Sequence, residues 1–470
     1  MKLSSPRNFF VYVSEHPWLG VAAIALVAFT TRFWQLDHLE KPVFDEVYYP
    51  KFGLDYLTGE PFFDAHPPLG KYMIALGIQL FGYNPFGFRC MSALAGALVP
   101  LITYTLVAQL SNRPVWAWLS GWFTALDGLL LVESRYGLIN IYILLFGMLS
   151  QVCMVLALKR SRQRWAWVLA TGMMFGAAVS VKWTGLGYGV GLAAIALIIR
   201  LKYKQSLSWV QVGLGLVLLP LGFYWLQWQP HLQLNPTMDL FEQHRQIFGF
   251  HQNLGVGAKE PIHPYCSAWW TWIWLIRPVA YFYETRANGE IVEFVHGMGN
   301  PFLYWFGAIA ILLCGLTLVL AISPLLQRYL HNVLQSVTTQ KTQLVRQLSQ
   351  ELSQQIFQRF SRQFVQGRIA NFPWMAFYVV VSFLGNWLPW SLSRRCTFLY
   401  HYMPASVFAF MAIALVVEWC WQQQHEFFRA VGMTTAIAIA GSFLFWLPIY
   451  IGLPISSVHF HMLMWFASWT

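Results

Sequence analysis

The chain has 470 residues, of which 57% are hydrophobic and 10% charged, and carries a net charge of +11. A soluble domain carries about 25% charged residues, so the composition excludes one. Apolar runs near the length of a bilayer span recur along the chain without the short alternating segments of a β-barrel, which leaves an all-α polytopic membrane protein. The cysteines (Cys90, Cys153, Cys266, Cys314, Cys396, Cys420) are scattered with no CxxC pair, and imply neither a metal knuckle nor a disulfide framework.

Taken in order, spans are expected near 17–34, 91–110, 114–131, 137–157, 165–181, 185–200, 208–228, 302–321, 373–389, 399–420 and 428–451, about eleven in all. The first has no small-residue cleavage pattern after it and reads as an anchor rather than a signal peptide. The tail 454–470 reads as a further span or an interfacial helix. With the N-terminus in the cytoplasm, Arg113, the cluster Lys159/Arg160/Arg162/Arg164, Arg200/Lys202/Lys204 and Arg429 all fall on the cytoplasmic side. The long outer loops 35–90 and 229–300 hold most of the acids. Positive charge facing an anionic leaflet explains the basic balance without nucleic acid. Segment 322–371 is rich in Gln, Ser and Arg, with Leu330, Leu334, Val337, Leu344 and Leu348 at helical spacing. It reads as a basic amphipathic cytoplasmic insertion on the inner membrane surface, or as a helical spacer without a partner.

The outer loop after the first span is the chemically unusual stretch. In "VFDEVYYPKFGLDYLTGEPFFDAHPPLGK" (43–71), Leu69, Tyr72, Met73, Leu76 and Leu80 form an apolar stripe on a helix that Pro67 or Pro68 can start. His66, before a proline, is expected to cap that helix. Loop 229–300 reads as membrane-surface helix and loop. Asp45, Glu46, Asp64 and His66 then sit on a shelf at the membrane surface. Arg89, Arg135, Lys182, Arg394 and Arg395 open or close spans at the same level. Acids supply a base and cations hold a phosphate leaving group, so the pattern points to an outer-face enzyme acting on a lipid phosphate. The bland alternatives are a capping role for Asp64, snorkelling anchors for the single cations, and a divalent cation held by Asp45, Glu46, Asp64 and His66. The Trp-rich run "SAWWTWIWLIRP" (267–278) reads as an interfacial belt or the wall of a sugar site. Acids inside spans are confined to Asp127 and Glu418 and no internal repeat is evident, which argues against a secondary transporter.

These residues resemble a known family. The pair Asp45-Glu46, Tyr48/Tyr49, and "FFDAHPPLGK" resemble the first luminal loop of the dolichyl-phosphate-mannose–protein O-mannosyltransferases. Arg89 with "MSALAG", "ESRYGLIN" (133–140), "VKWTGL" (181–186), "HPYCSAWWTWIWLIRPVAYFY" (263–283), "GNPFLYWFG" (299–307) and "NWLPWSLSRRCTFLYHYMP" (386–404) are similar to later blocks of bacterial members. Asn140 departs from the aspartate usual there, and loop 229–300 has no room for the β-trefoil MIR domain of eukaryotic members. The resemblance implies a GT-C glycosyltransferase fold, with a catalytic transmembrane module over 1–321, the insertion 322–371 and C-terminal spans over 372–470. It implies transfer of mannose from a polyprenyl-phosphate-mannose donor to Ser/Thr hydroxyls of exported proteins, with inversion, at the extracytoplasmic face of the cell membrane. Asp45 would be the base. Arg89, Arg394 and Arg395, with Arg135 and Lys182 behind them, would hold the departing phosphate. Glu46, Asp64, His66 and His401 would orient acceptor or sugar. The partners would be the lipid donor, membrane lipids, a protein acceptor and the secretion machinery. No cofactor beyond the lipid-linked sugar is firmly implied. The rival reading is a GT-C transferase moving another lipid-linked sugar, such as aminoarabinose, to a lipid or glycan.

Overall fold

The computed structural model describes residues 16–254, 263–337 and 372–470. Its helices are α1 (Pro17–Phe33), α2 (Tyr49–Thr58), α3 (Leu69–Phe81), α4 (Pro85–Ser111), α5 (Pro114–Ala125), α6 (Gly128–Arg135) and α7 (Asn140–Lys159). There follow α8 (Arg164–Val181), α9 (Tyr188–Tyr203), α10 (Trp209–Leu234), α11 (Leu240–Asn253), α12 (Pro301–Val337), α13 (Phe372–Trp387), α14 (Met403–Gln422), α15 (Glu426–Tyr450) and α16 (Ser457–Leu463). Among the described residues nine helices are long and apolar enough to cross a membrane, or ten if the bent pair α5–α6 is one span. The eleven expected spans are therefore not all matched: α1, with 17 residues, is shorter than a full span, and 114–131 is broken by a 57° bend. Asp127 makes the break, because its side chain accepts from the Leu130 amide at 2.9 Å and starts a new helix.

Helices α7 and α14 form the centre of the bundle and are buried nearly all round, whereas α10 and α15 turn most of their surface outward. Small residues set the close approaches. Gly172 on α8 faces Gly215 on α10 so tightly that an added Cβ would lie 1.9 Å from the Gly215 carbonyl oxygen. α12 continues unbroken through 322–337, so the start of the expected insertion is an extension of a span; the rest of 322–371 lies outside the described residues.

The outer loops hold more than helices. Strands β1 (Val279–Arg286), β2 (Ile291–Gly297) and β3 (Pro454–Ser456) form an antiparallel sheet in that order, with Ala280 opposite His296 and Val292 opposite Ile455. Loop 229–300 is thus a surface helix, α11, followed by a hairpin, and the tail 454–470 is its third strand with short helices rather than a span. A hairpin signal is present in the sequence: Asn288-Gly289 between aromatic and β-branched runs, with φ 54° and 94°.

α3 begins as expected, but Pro68, not His66, is its N-cap, and the Lys71 ammonium donates to the His66 and Pro67 carbonyls at 2.8 and 2.9 Å. Its expected apolar stripe is split. Leu69 is buried while Leu76 and Leu80 face outward, because Ile74 and Ile78 form the inner face.

Candidate active site

The centre of the outer face is the 3-10 turn Phe44–Val47. Phe44 enters it with a φ of 53°, a conformation rare for a bulky residue. Its ring lies 4.2 Å from Tyr281 of β1, nearly parallel, so the hairpin clamps the turn from outside. Side chains of neighbouring residues on such a turn point in different directions. Asp45 and Glu46 accordingly part company.

Glu46 turns into the protein. It accepts from Arg89 Nε at 2.7 Å and Nη2 at 2.8 Å, and from the amides of Gly137 at 2.6 Å and Val43 at 2.9 Å. Arg89 is wholly buried, and its Nη1 donates to the carbonyls of Leu36 at 3.1 Å and Leu39 at 2.7 Å. Arg135 Nη1 donates to the Thr31 and Trp34 carbonyls at 2.8 and 2.9 Å, and Nη2 to Gln35 at 3.1 Å. These are carbonyls at and just beyond the C-terminal end of α1, which lack partners within the helix. Glu46, expected to orient substrate, and Arg89 and Arg135, expected to hold phosphate, are engaged here with one another or with main-chain groups. Glu46 and Arg89 serve the backbone on either side of the Asp45 turn, and Arg135 serves carbonyls of residues 31–35.

Asp45 faces the opposite way, toward Lys182 and Asp64. Burial pushes its carboxyl up to about 6, with Lys182 opposing that rise and Asp64 adding to it. Lys182 follows α8, is buried, and sits with its ammonium 5.5 Å from the centre of the Tyr400 ring. Burial holds it below the ordinary lysine range, against the pull of Asp45 and Glu133. Arg395 lies over Trp390 at 5.9 Å and meets His401 Nε2 only loosely, at 3.4 Å. Among the described residues neither Lys182 nor Arg395 has a carboxylate within salt-bridge distance. Arg394, by contrast, is exposed.

Asp64 pairs with Lys71, which fixes the His-Pro-Pro loop. His66 stacks on His251 of α11 at 5.2 Å, and His251 Nε2 meets the Ala65 carbonyl at 2.9 Å. Burial first, then the cations Lys182, Lys71 and Arg395, keep His66 well below its usual range. His401 is held by Phe398 through Nδ1 and lies among Trp390, Trp272 and Tyr400 at 4.3, 6.0 and 4.5 Å. The Trp-rich run is therefore divided. Trp272 is buried beside His401, while Trp270 and Trp274 face outward.

Structure thus gathers Asp45, Asp64, His66, Lys182, Arg395 and His401, and sends Glu46, Arg89, Arg135 and Arg394 elsewhere. Sequence reasoning missed Lys71, Glu133, Tyr281, His251 and Tyr400. It also missed the Cys266–Cys396 disulfide, whose partners lie 130 residues apart. That bond fixes the chain beside Arg395, together with Ser267 and Thr397, which exchange bonds of 2.8 and 2.7 Å. Among the described residues no group of three or more His, Cys, Asp or Glu side chains could hold a metal ion, and Glu46 is turned away from Asp45, Asp64 and His66.

A carboxylate raised toward neutrality can take a proton, and two cations without carboxylate partners among the described residues, Lys182 beside it and Arg395 near Lys182, can stabilise a departing anion. Two family models match the chain: "Dolichyl-phosphate-mannose-protein mannosyltransferase" over residues 22–235, and the C-terminal four-helix region of protein O-mannosyltransferase over 236–469. The polyprenol-phosphate-mannose–protein mannosyltransferase of Mycolicibacterium smegmatis is 23% identical, over 99% of this chain and 95% of that one. Protein O-mannosyl-transferase 2 of Drosophila pseudoobscura pseudoobscura is 31% identical over 39% of this chain and 28% of its own. In fold, the chain is similar to the Saccharomyces cerevisiae protein O-mannosyltransferase Pmt1–Pmt2 complex bound to the sugar donor, with a TM-score of 0.72 at 16% identity, covering 96% of this chain and 92% of that one.

Proposed function

The chain belongs to the protein O-mannosyltransferase family, and from that premise we propose that it transfers mannose from a polyprenyl-phosphate-mannose donor to Ser/Thr hydroxyls of exported proteins, on the extracytoplasmic face and with inversion. The observation that carries this reading is the half-buried Asp45 carboxylate facing Lys182, with Arg395 acting on Lys182 from beside Trp390. Asp45 takes the acceptor hydroxyl proton as the oxygen attacks C1 of the sugar. The bond from C1 to the phosphate oxygen breaks, and the polyprenyl phosphate leaves with its electron pair, its charge met by Lys182 and Arg395. One displacement inverts the anomeric centre and needs no second carboxylate as nucleophile. Asp64 and His66 line the same space, and His401 orients Arg395.

Two independent features support the sidedness. One is the basic bias of the opposite loops. The other is the Cys266–Cys396 disulfide beside Arg395, a bond that persists in oxidising compartments. The free cysteines of the described residues are all buried. Cysteines introduced at the exposed positions Thr58 and Ser161 should therefore label with a membrane-impermeant thiol reagent from opposite sides; labelling from one side would overturn the topology.

The direct test incubates purified protein with labelled polyprenyl-phosphate-mannose and either a Ser/Thr-rich peptide or a lipid acceptor. Label is expected in the peptide, and label confined to lipid would sink the reading. Within it, Arg395→Ala should lower kcat/KM for the donor by about 10- to 100-fold, the worth of a charge-assisted hydrogen bond. Arg394→Ala should change it little. Equal losses at both positions would mean a general surface-charge effect rather than a phosphate contact.

A further inference from the structure

The side chain of Arg395 is lightly held. Its guanidinium lies over Trp390 at 5.9 Å and meets His401 Nε2 at 3.4 Å, the long end of a hydrogen bond. From Ser393 to Phe398 the main chain that carries it runs without helix or strand. The place of Arg395 is therefore set by what grips that chain, and the next residue, Cys396, is bonded to Cys266. The far end of the bond is firm. The Pro264 carbonyl accepts from Arg277 Nε and Nη2 at 3.1 and 3.0 Å, and Arg277 Nη1 donates to the Ser468 carbonyl at 3.1 Å. The same guanidinium lies 5.2 Å from the centre of the Tyr265 ring. The further ties between the two loops are hydrogen bonds: Ser267 with Thr397, and the Trp387 indole to the Trp269 carbonyl at 3.0 Å. Cys266 and Cys396 are both half-buried, so a reductant can reach the bond, whereas the free cysteines Cys90, Cys153, Cys314 and Cys420 are buried.

We propose that the Cys266–Cys396 bond is a redox-sensitive strap on Arg395: oxidised, it holds the arginine where the donor phosphate needs it, and a dithiol reductant releases it and weakens donor use. This rests on Arg395 meeting the donor phosphate. In the reduction two electrons and two protons pass from the dithiol to the strap. The S–S bond breaks, Cys266 and Cys396 become thiols, and the reductant closes its own disulfide. The loop around Arg395 then keeps its hydrogen bonds but loses its covalent limit. A guanidinium displaced by about 1 Å is a much poorer partner for a departing phosphate, because charge-assisted bonds to phosphate depend on geometry. Donor use is thereby tied to an oxidising compartment.

The test compares oxidised and dithiothreitol-reduced full-length protein in detergent, with polyprenyl-phosphate-mannose and a Ser/Thr peptide. Two thiols should appear on reduction, one from each half of the bond. Donor KM should rise about tenfold while the protein stays folded, and oxidised glutathione should restore the first value. Cys266→Ser/Cys396→Ser should sit at the reduced value in either condition. General loosening could mimic the rise, so the deciding arm is Arg395→Ala: there reduction should leave donor KM unchanged, whereas in Arg394→Ala it should raise it as in the wild type. If the double serine variant fails to fold, reduction of the wild-type protein carries the test. Equal donor KM in both states, thiols free before reduction or absent after it, unfolding on reduction, or an undiminished rise in Arg395→Ala each overturns the inference. If Arg395→Ala itself leaves donor kcat/KM unchanged, the phosphate assignment falls instead, so the two failures are told apart.

Discussion

Asp45→Asn is expected to lower kcat by at least about 10²-fold while leaving the donor KM nearly unchanged. A Ser or Thr hydroxyl is a weak nucleophile at neutral pH, and Asp45 is the carboxylate that the turn presents to Lys182. Asparagine keeps the size and the polar contacts and removes the proton acceptor. The wild-type profile carries its own signature. Because burial raises the Asp45 carboxyl to about 6, kcat should fall as pH drops through about 6, where the base becomes protonated, and should hold above that point. That limb should be missing from the residual activity of Asp45→Asn. Normal turnover in Asp45→Asn together with an inactive Asp64→Asn would move the base to Asp64.

Much of the fold was legible because a bilayer enforces long apolar helices and sorts charge by side. The motif blocks converge in space: Asp45, the His-Pro-Pro loop and Lys182 are close together although far apart in sequence. What was not legible was direction. Two adjacent carboxylates look equivalent in a string, yet the turn Phe44–Val47 sends one to the site and one to Arg89. Arginines at the ends of spans look like phosphate ligands, but Arg135 is recruited by the unsatisfied carbonyls at the end of α1, a demand that arises only once the helices pack. The disulfide was hidden because its cysteines are brought together by two separate loops. The sheet was readable in part. Asn288-Gly289 marks its hairpin, but the bulge between Ala280 and Phe282 and the tail strand that completes it have no local signal.

The second large effect belongs to the pair Arg89–Glu46, and there the expected loss is of folding. Both side chains are buried, and the guanidinium fork satisfies both oxygens of Glu46 while reaching the loop carbonyls of Leu36 and Leu39. Removing one partner strands the other charge in a dry interior, at a cost of about 3–5 kcal/mol. Arg89→Ala and Glu46→Gln should therefore both lower thermal stability and membrane yield sharply. Arg89→Lys should restore little, because an ammonium cannot span both Glu46 oxygens and two carbonyls in one plane. The double variant Arg89→Met/Glu46→Leu leaves no orphan charge and should recover part of the stability lost by either single change. Activity should remain low in that protein, because the Gly137 and Val43 amides that Glu46 accepts from would lose their partner and the Asp45 turn would loosen. Thermal unfolding in detergent, read beside donor KM, decides the matter. An Arg89→Ala protein that melts like wild type and shows only a raised donor KM would return Arg89 to the phosphate.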